Sequence, residues 1–276
     1  MPSSLQGWLA GSILLLCVAV SVSEKTQVII PPYLADVENI RMVSDPKDIL
    51  NAGQLKARIS VFYTRDCEEL YKLGHTESGL YVIRPEGSPK LVVQCFMHDC
   101  DGWTVIQKNT FNTDMTWAES WSTYQYGFGF IEQNHWLGNH YIHLLTQQKW
   151  YKIRIMLTDS SNRTRYAEYD SFLVKDANEG YALRLGTYHG DAGDSLTNTS
   201  TKSMHDNMKF STHDRDNDRS TSSECADLHG GGWWYDSCYD AQLNRKSGIH
   251  WHTLCDHNCR SSLMLIKPIH MYCNRV

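Results

Sequence analysis

Met208 to Tyr239 reads MKFSTHDRDNDRSTSSECADLHGGGWWYDSCY. Three alternating carboxylates, Asp214, Asp216 and Asp218, stand just ahead of Cys225 and Cys238, which bracket Gly230-Gly231-Gly232-Trp233-Trp234. Alternate carboxylates in an irregular loop suit a hard cation such as calcium, which takes several oxygen ligands and accepts backbone carbonyls among them. The two cysteines can staple a loop that has no helical or strand periodicity of its own. A charged loop, a staple and an aromatic floor side by side describe a binding surface. An EF-hand does not fit: counted from Asp214, Arg219 falls at the turn glycine and Cys225 at the bidentate glutamate.

Outward from this loop, the N-terminus points to export. Ile13 to Val22 is an apolar run that closes in an S-x-S pattern of small residues, Ser21 and Ser23, the pattern of a secretory signal peptide ending at residue 23. The run is too short for a good membrane span, and no later segment is long and apolar enough for one. The net charge of -5 and the scattered Lys and Arg exclude a nucleic-acid partner. Removing Cys17 with the leader leaves Cys67, Cys95, Cys100, Cys225, Cys238, Cys255, Cys259 and Cys273, and an even set in an exported chain implies disulfides. Asn162-Arg163-Thr164 and Asn198-Thr199-Ser200 are N-glycosylation sequons.

Residues 24–60 hold no cysteine or tryptophan and carry Pro31, Pro32 and Pro46. Their two short apolar stripes do not sustain a coiled coil, so the segment is expected to be a linker, weakly helical or disordered. Without a stalk, the chain is expected to be a monomer or weak homo-oligomer. Residues 61–276 form one unit, a size a single domain accommodates. β-like runs recur at Gly79–Arg84, Leu91–Phe96, Trp103–Lys108, Trp150–Leu157, Arg165–Tyr169, Ala182–Leu185 and Leu263–Ile269, with short helices near Trp117–Gln125 and Asn139–Thr146. Scattered strands, few helices and long loops predict an α+β fold.

The order Cys67, Gly79-Leu80-Tyr81, Cys95, Gly102-Trp103-Thr104-Val105-Ile106-Gln107, Trp136-Leu137-Gly138, Arg165-Tyr166-Ala167, Ala192-Gly193-Asp194-Ser195-Leu196, Met208-Lys209-Phe210-Ser211-Thr212, Cys225-Ala226, Gly232-Trp233-Trp234 and Cys238 resembles the fibrinogen C-terminal domain family, from about Asp66 to Pro268. Within it, the short unbranched layout is most similar to the fibrinogen-like protein 1 subgroup. The resemblance implies a globular domain with a short central antiparallel sheet and disulfide-stapled loops. It implies the pairs Cys67–Cys95 and Cys225–Cys238. It also implies a calcium site using the Asp216 and Asp218 side chains, completed by backbone carbonyls of the stretch Ser220 to Ser223, with Ser220 and Ser222 as ligands. Here the loop is one residue longer than the family pattern, with serines where a Phe and a Gly are usual.

In the family a ligand pocket lies beside the second disulfide, and a cis peptide precedes the second cysteine, here Ser237–Cys238. The resemblance places a shallow aromatic site at His229, Trp234, Tyr235, Ser237 and Tyr239; the alternative for these aromatics is packing in the core or floor, since large aromatics mostly serve burial. Leu228 and His229 replace an amide and an acid, and Tyr239 replaces a His. Only Arg245, Lys246 and Ser247 separate Asn244 from Gly248, so the usual downstream wall is nearly gone. A pocket for a fibrin-type peptide knob is therefore not expected.

His250, His252, Cys255, His257 and Cys259 lie close together, with His98 and Cys100 able to approach in space, and such donors can hold zinc. The even thiol count instead favours two further disulfides among Cys100, Cys255, Cys259 and Cys273, with three pairings open. No catalytic constellation is present. Gly193-Asp194-Ser195-Leu196 has the letters of a GDSL hydrolase but no following Asp-x-x-His, and elbow, zincin and phosphate-loop motifs are absent. The expectation is a secreted, non-enzymatic recognition protein with calcium as a structural cofactor. Its partner is an extracellular receptor. The alternative is a ficolin-like, calcium-dependent lectin for acetylated glycans.

Overall fold

The computed structural model describes residues 63–111, 113–199 and 203–269. The segments expected to be leader and linker lie outside the described residues, as does Cys273. The elements in chain order are α1 (Cys67–Lys72), β1 (Gly79–Ile83), β2 (Leu91–His98), β3 (Asp101–Thr110), α2 (Trp121–Tyr126), β4 (Phe128–Gly129), β5 (His135–Trp136), α3 (Asn139–Gln148), β6 (Tyr151–Thr158), β7 (Thr164–Val174), β8 (Leu183–Leu185), β9 (Tyr188–Gly190), α4 (Cys225–His229), β10 (Ala241–Gln242), β11 (Ile249–Trp251), β12 (Cys255–Cys259) and β13 (Ser261–Pro268).

The main sheet is antiparallel, in the order β1-β2-β3-β13-β6-β7-β8, with β5 also on β3, β4 on β5 and β9 on β7. The last strand lies in its middle: Ser261 of β13 faces Thr110 of β3 on one side and Thr158 of β6 on the other. Period-two alternation sets the faces. Along β6, Tyr151, Ile153, Ile155 and Leu157 are buried while Lys152, Arg154 and Met156 are half-exposed. The opposite face carries a thin cluster of Trp103, Val105 and Leu265. Lys152, Arg154 and Lys267 lie over the Trp103 ring at 5.4, 4.8 and 5.2 Å, shielding it while their charged heads pair with Glu168 and Asp101.

Capping explains the helices. Asp66 stands before α1 and accepts a hydrogen bond from the Glu69 N–H at 2.9 Å. The other Asp66 oxygen takes Lys149 Nζ at 2.8 Å and the Tyr151 hydroxyl at 2.7 Å, which ties α1 to β6. The helix expected from Trp117 starts only at Trp121, because Ser120 caps it by accepting from the Thr123 N–H. The small sheet β10-β11-β12 was not anticipated. Its strands are short, and β12 reads CDHNC, with no apolar alternation to mark it.

The Cys67–Cys95 disulfide joins α1 to β2. Beside it, a Cβ on Gly102 of β3 would overlap the Cys67 carbonyl oxygen. Gly102→Ala is expected to lower stability by about 3 kcal/mol, the upper range for overpacking against rigid backbone. Urea unfolding checks this, and a change below about 1 kcal/mol would show that α1 can move away.

Candidate functional site

The acidic loop is built from the core outward. Asn217 donates from Nδ2 to the Phe210 carbonyl at 2.8 Å and from its N–H to Ser211 Oγ at 3.0 Å. This pins the residue between the two aspartates. Asp216 Oδ1 accepts the Asp218 N–H at 3.0 Å, and the Asp218 oxygens accept the Ser220 and Cys225 N–H groups, each at 2.8 Å. Burial raises the Asp218 pKa. Its two backbone hydrogen bonds oppose this, and the Asp216 carboxylate alongside raises it further.

Asp214 does not join this pair. It accepts from the Trp121 N–H at 2.8 Å and the Thr212 hydroxyl at 2.7 Å, closing the loop onto α2. Burial works against its charge, but these bonds hold its pKa below the usual value. The neighbouring arginines are also engaged elsewhere. Arg215 lies 4.0 Å over the Trp121 ring, and Arg219 Nε binds Asp236 Oδ1 at 2.6 Å. Two apposed carboxylates with no arginine ion pair among the described residues offer oxygen donors of the kind calcium takes, and Ser220 to Ser223 follow them directly in the chain.

Beyond the loop, Cys225 at the start of α4 is bonded to Cys238 with a Cα separation of 5.5 Å, and the Ser237–Cys238 peptide is cis. His205 fixes the chain on either side of this turn. Its buried ring donates from Nδ1 to the Trp234 carbonyl at 2.8 Å, and Nε2 accepts the N–H groups of Asp240 and Ala241 at 3.1 and 3.0 Å. Burial depresses its pKa, although the bond to Trp234 and the nearby Asp240 and Asp236 charges oppose that.

The residues expected to line the pocket divide. Trp234 and Tyr235 are fully buried, which corrects the expectation that they face a ligand. Trp234 Nε1 donates to the Tyr181 carbonyl, and its ring packs on Trp136, Phe210 and Trp233. The Tyr235 hydroxyl donates to the Gly231 carbonyl at 2.7 Å. Exposed or half-exposed at the turn are His229, Ser237 and Tyr239. Tyr239 is surrounded by the chain's own groups. His229 meets its ring edge-on at 4.7 Å between centroids, His250 and His257 lie at 5.3 and 6.1 Å, and Arg245 Nη1 donates to its hydroxyl at 2.7 Å. Sequence reasoning missed Arg245 and His205. The shortened 245–247 segment was the signal for the first, and no local pattern marked the second.

Of the four extra cysteines, Cys255 and Cys259 are joined, which removes both as zinc ligands. Cys100 is exposed and has no partner among the described residues, so the pairing expected with it is not seen there. Asn162 lies on the exposed β6–β7 turn, and Asn198 is half-buried. The GDSL letters are structural. Ser195 is buried against the Thr253 hydroxyl at 3.1 Å, and Asp194 accepts from the Tyr169 hydroxyl and the N–H groups of Leu196 and Thr197.

A central antiparallel sheet, an acidic loop and a stapled turn with a cis peptide define a fibrinogen-like globular domain. Residues 63–268 match the family model for the C-terminal globular domain of fibrinogen beta and gamma chains, and the chain belongs to that family. It is similar to the fibrinogen-like protein 1-like protein of Gallus gallus, with 46% identity over 82% of this chain and 81% of that protein. It is 40% identical to fibrinogen-like protein 1 of Bos taurus over 74% of this chain and 72% of that protein. Among solved structures, the fibrinogen-like globe domain of human ANGPTL6 superposes with a TM-score of 0.70 at 33% identity, covering 77% of this chain and 98% of that one. Lamprey fibrin D-dimer in complex with the peptide Gly-His-Arg-Pro-amide gives 0.73 at 30% identity, covering 82% and 81%. No helix among the described residues is long and apolar enough to cross a membrane.

Proposed function

We propose that this protein is a secreted, non-enzymatic ligand that binds a cell-surface receptor through the face around His229, Ser237 and Tyr239, with calcium ordering the adjacent Asp216–Asp218 loop. One observation carries this reading: the chain fills its own pocket. His229, Arg245, His250 and His257 enclose Tyr239, where a peptide knob or sugar would need an open cleft. Leu228, next to His229 on α4, is 64% exposed and offers an apolar contact to a protein surface. Binding here needs no bond chemistry.

The lectin reading is favoured by the half-exposed His229–Tyr239 ring pair beside the disulfide, since aromatic faces stack on sugars. The two readings separate in a paired screen of receptor ectodomains and an acetylated-glycan array. A receptor hit is expected that free N-acetyl sugars do not displace and that the paired change Leu228→Glu, Tyr239→Ala weakens at least about tenfold, the loss of a hot-spot residue. Hits confined to acetylated glycans, lost to chelator, would replace the receptor reading with the lectin one.

A further inference from the structure

The histidines around Tyr239 form a second cluster, on the small sheet. β11 and β12 pair antiparallel, with Ile249 opposite Cys259 and Trp251 opposite Cys255. The Cys255–Cys259 disulfide closes β12 on itself, so Asp256, His257 and Asn258 project into solvent, with His257 at φ +58°. This brings three donors together. Asp256 Oδ1 lies 3.1 Å from His250 Nδ1 and 3.4 Å from His257 Nε2, and one donor atom from each residue falls within 4.8 Å of the others. The two imidazole rings stack at 4.3 Å between centroids.

The hydrogen bonds around His250 are in conflict. Its Nδ1 accepts the His257 backbone N–H at 3.3 Å, so this nitrogen presents a lone pair. The same nitrogen faces the Asp256 carboxylate oxygen at 3.1 Å. Two acceptors at that distance repel. A proton on Nδ1 would satisfy the carboxylate but strip the His257 N–H of its acceptor. A divalent cation on Nδ1 also displaces the His257 N–H, but unlike a single proton it binds the carboxylate oxygen and both imidazoles at once, and so removes the repulsion.

We propose that His250, Asp256 and His257 bind a zinc-class divalent cation. Two imidazoles and one carboxylate are borderline donors that suit zinc and leave a fourth position for water or for a donor from a bound partner. Calcium, which takes six to eight oxygens, is a poor fit here. His250 is nearly buried and sets the floor of the site, while Asp256 and His257 close from the exposed side. Arg245 works against the cation. Its Nη1, already bonded to the Tyr239 hydroxyl at 2.7 Å, also lies 3.3 Å from His257 Nδ1; a cation on Nε2 leaves the ring proton on Nδ1, so this second contact must break for the site to fill. The site stands apart from the calcium loop and does not depend on the receptor reading.

The test is titration of the intact, disulfide-bonded protein with zinc chloride at pH 7.5 in saturating calcium, followed by calorimetry and by competition with a chromophoric chelator. A single zinc equivalent is expected. His257→Ala and Asp256→Asn each weaken binding at least about tenfold with unchanged thermal unfolding in metal-free buffer, since both side chains are exposed. Arg245→Gln tightens it. Absence of zinc binding overturns the proposal. So does zinc binding that survives both substitutions, that is lost in Asp216→Asn/Asp218→Asn, or that is lost in Cys100→Ser.

Discussion

His205→Leu is expected to lower stability by about 4 kcal/mol, and the melting temperature by roughly 10 °C for a domain of this size. The substitution keeps the volume buried but removes three hydrogen bonds at once. The Trp234 carbonyl loses its donor, and the Asp240 and Ala241 N–H groups lose their acceptor. Each orphaned buried group costs about 1–3 kcal/mol. The same ring confers a pH dependence. Nε2 accepts two N–H groups, so a proton there would break both bonds, and burial keeps the folded pKa below the usual 6.5. The unfolded chain therefore binds more protons than the folded one below about pH 6.5, and stability falls as the pH drops through that window. His135, whose pKa burial lowers to about 4, acts in the same sense. Urea unfolding of wild type and His205→Leu at pH 7.5 and pH 5 is the measurement. The variant should be weaker at pH 7.5 and show a smaller further loss at pH 5. A loss under about 1 kcal/mol at pH 7.5 would mean that water or rearrangement replaces the ring's bonds.

Calcium should raise the melting temperature of the wild type and leave Asp216→Asn/Asp218→Asn unmoved. A ligand bound only by the folded state stabilises it by about 2.7 kcal/mol at one hundred times its dissociation constant. That is a shift of roughly 5–10 °C here. The physical source is the apposition of two carboxylates, which is costly without a cation and is relieved by one. In chelator the double variant should lie within about 1 kcal/mol of wild type, because asparagine keeps an acceptor for the backbone N–H groups and removes the like-charge contact. Scanning calorimetry with calcium and with chelator decides. A wild type indifferent to calcium, or a variant that keeps the shift, would remove the loop as the site.

The seven β-like runs were legible in sequence because each carries apolar alternation or a continuous buried run long enough to read. The acidic loop was legible because Asp216 and Asp218 recur at alternate positions ahead of Cys225. The helix α1 was missed although its signal was present: Asp66 with Glu69 three residues later is a capping pattern on a segment too short for a visible periodic face. Trp234 and Tyr235 stayed open between ligand lining and core packing because a charged loop beside aromatics looks the same in one dimension whether the rings face out or in; both are in the core. Their burial depends on Trp136, Phe210 and Tyr181, which come from remote parts of the chain. The Asp256 contacts with His250 and His257 needed the β11–β12 pairing, which polar residues do not announce.

The placement of β13 has a consequence for biosynthesis. Ser261–Pro268 is made after every other described strand, yet it supplies the seam between β3 and β6. A nascent domain still attached to the ribosome has both flanking edges open until that segment clears the exit tunnel. Its maturation is therefore governed by the last part of the domain to emerge, and a premature stop codon upstream of residue 261 would leave an open sheet exposed to misassembly instead of a smaller working domain.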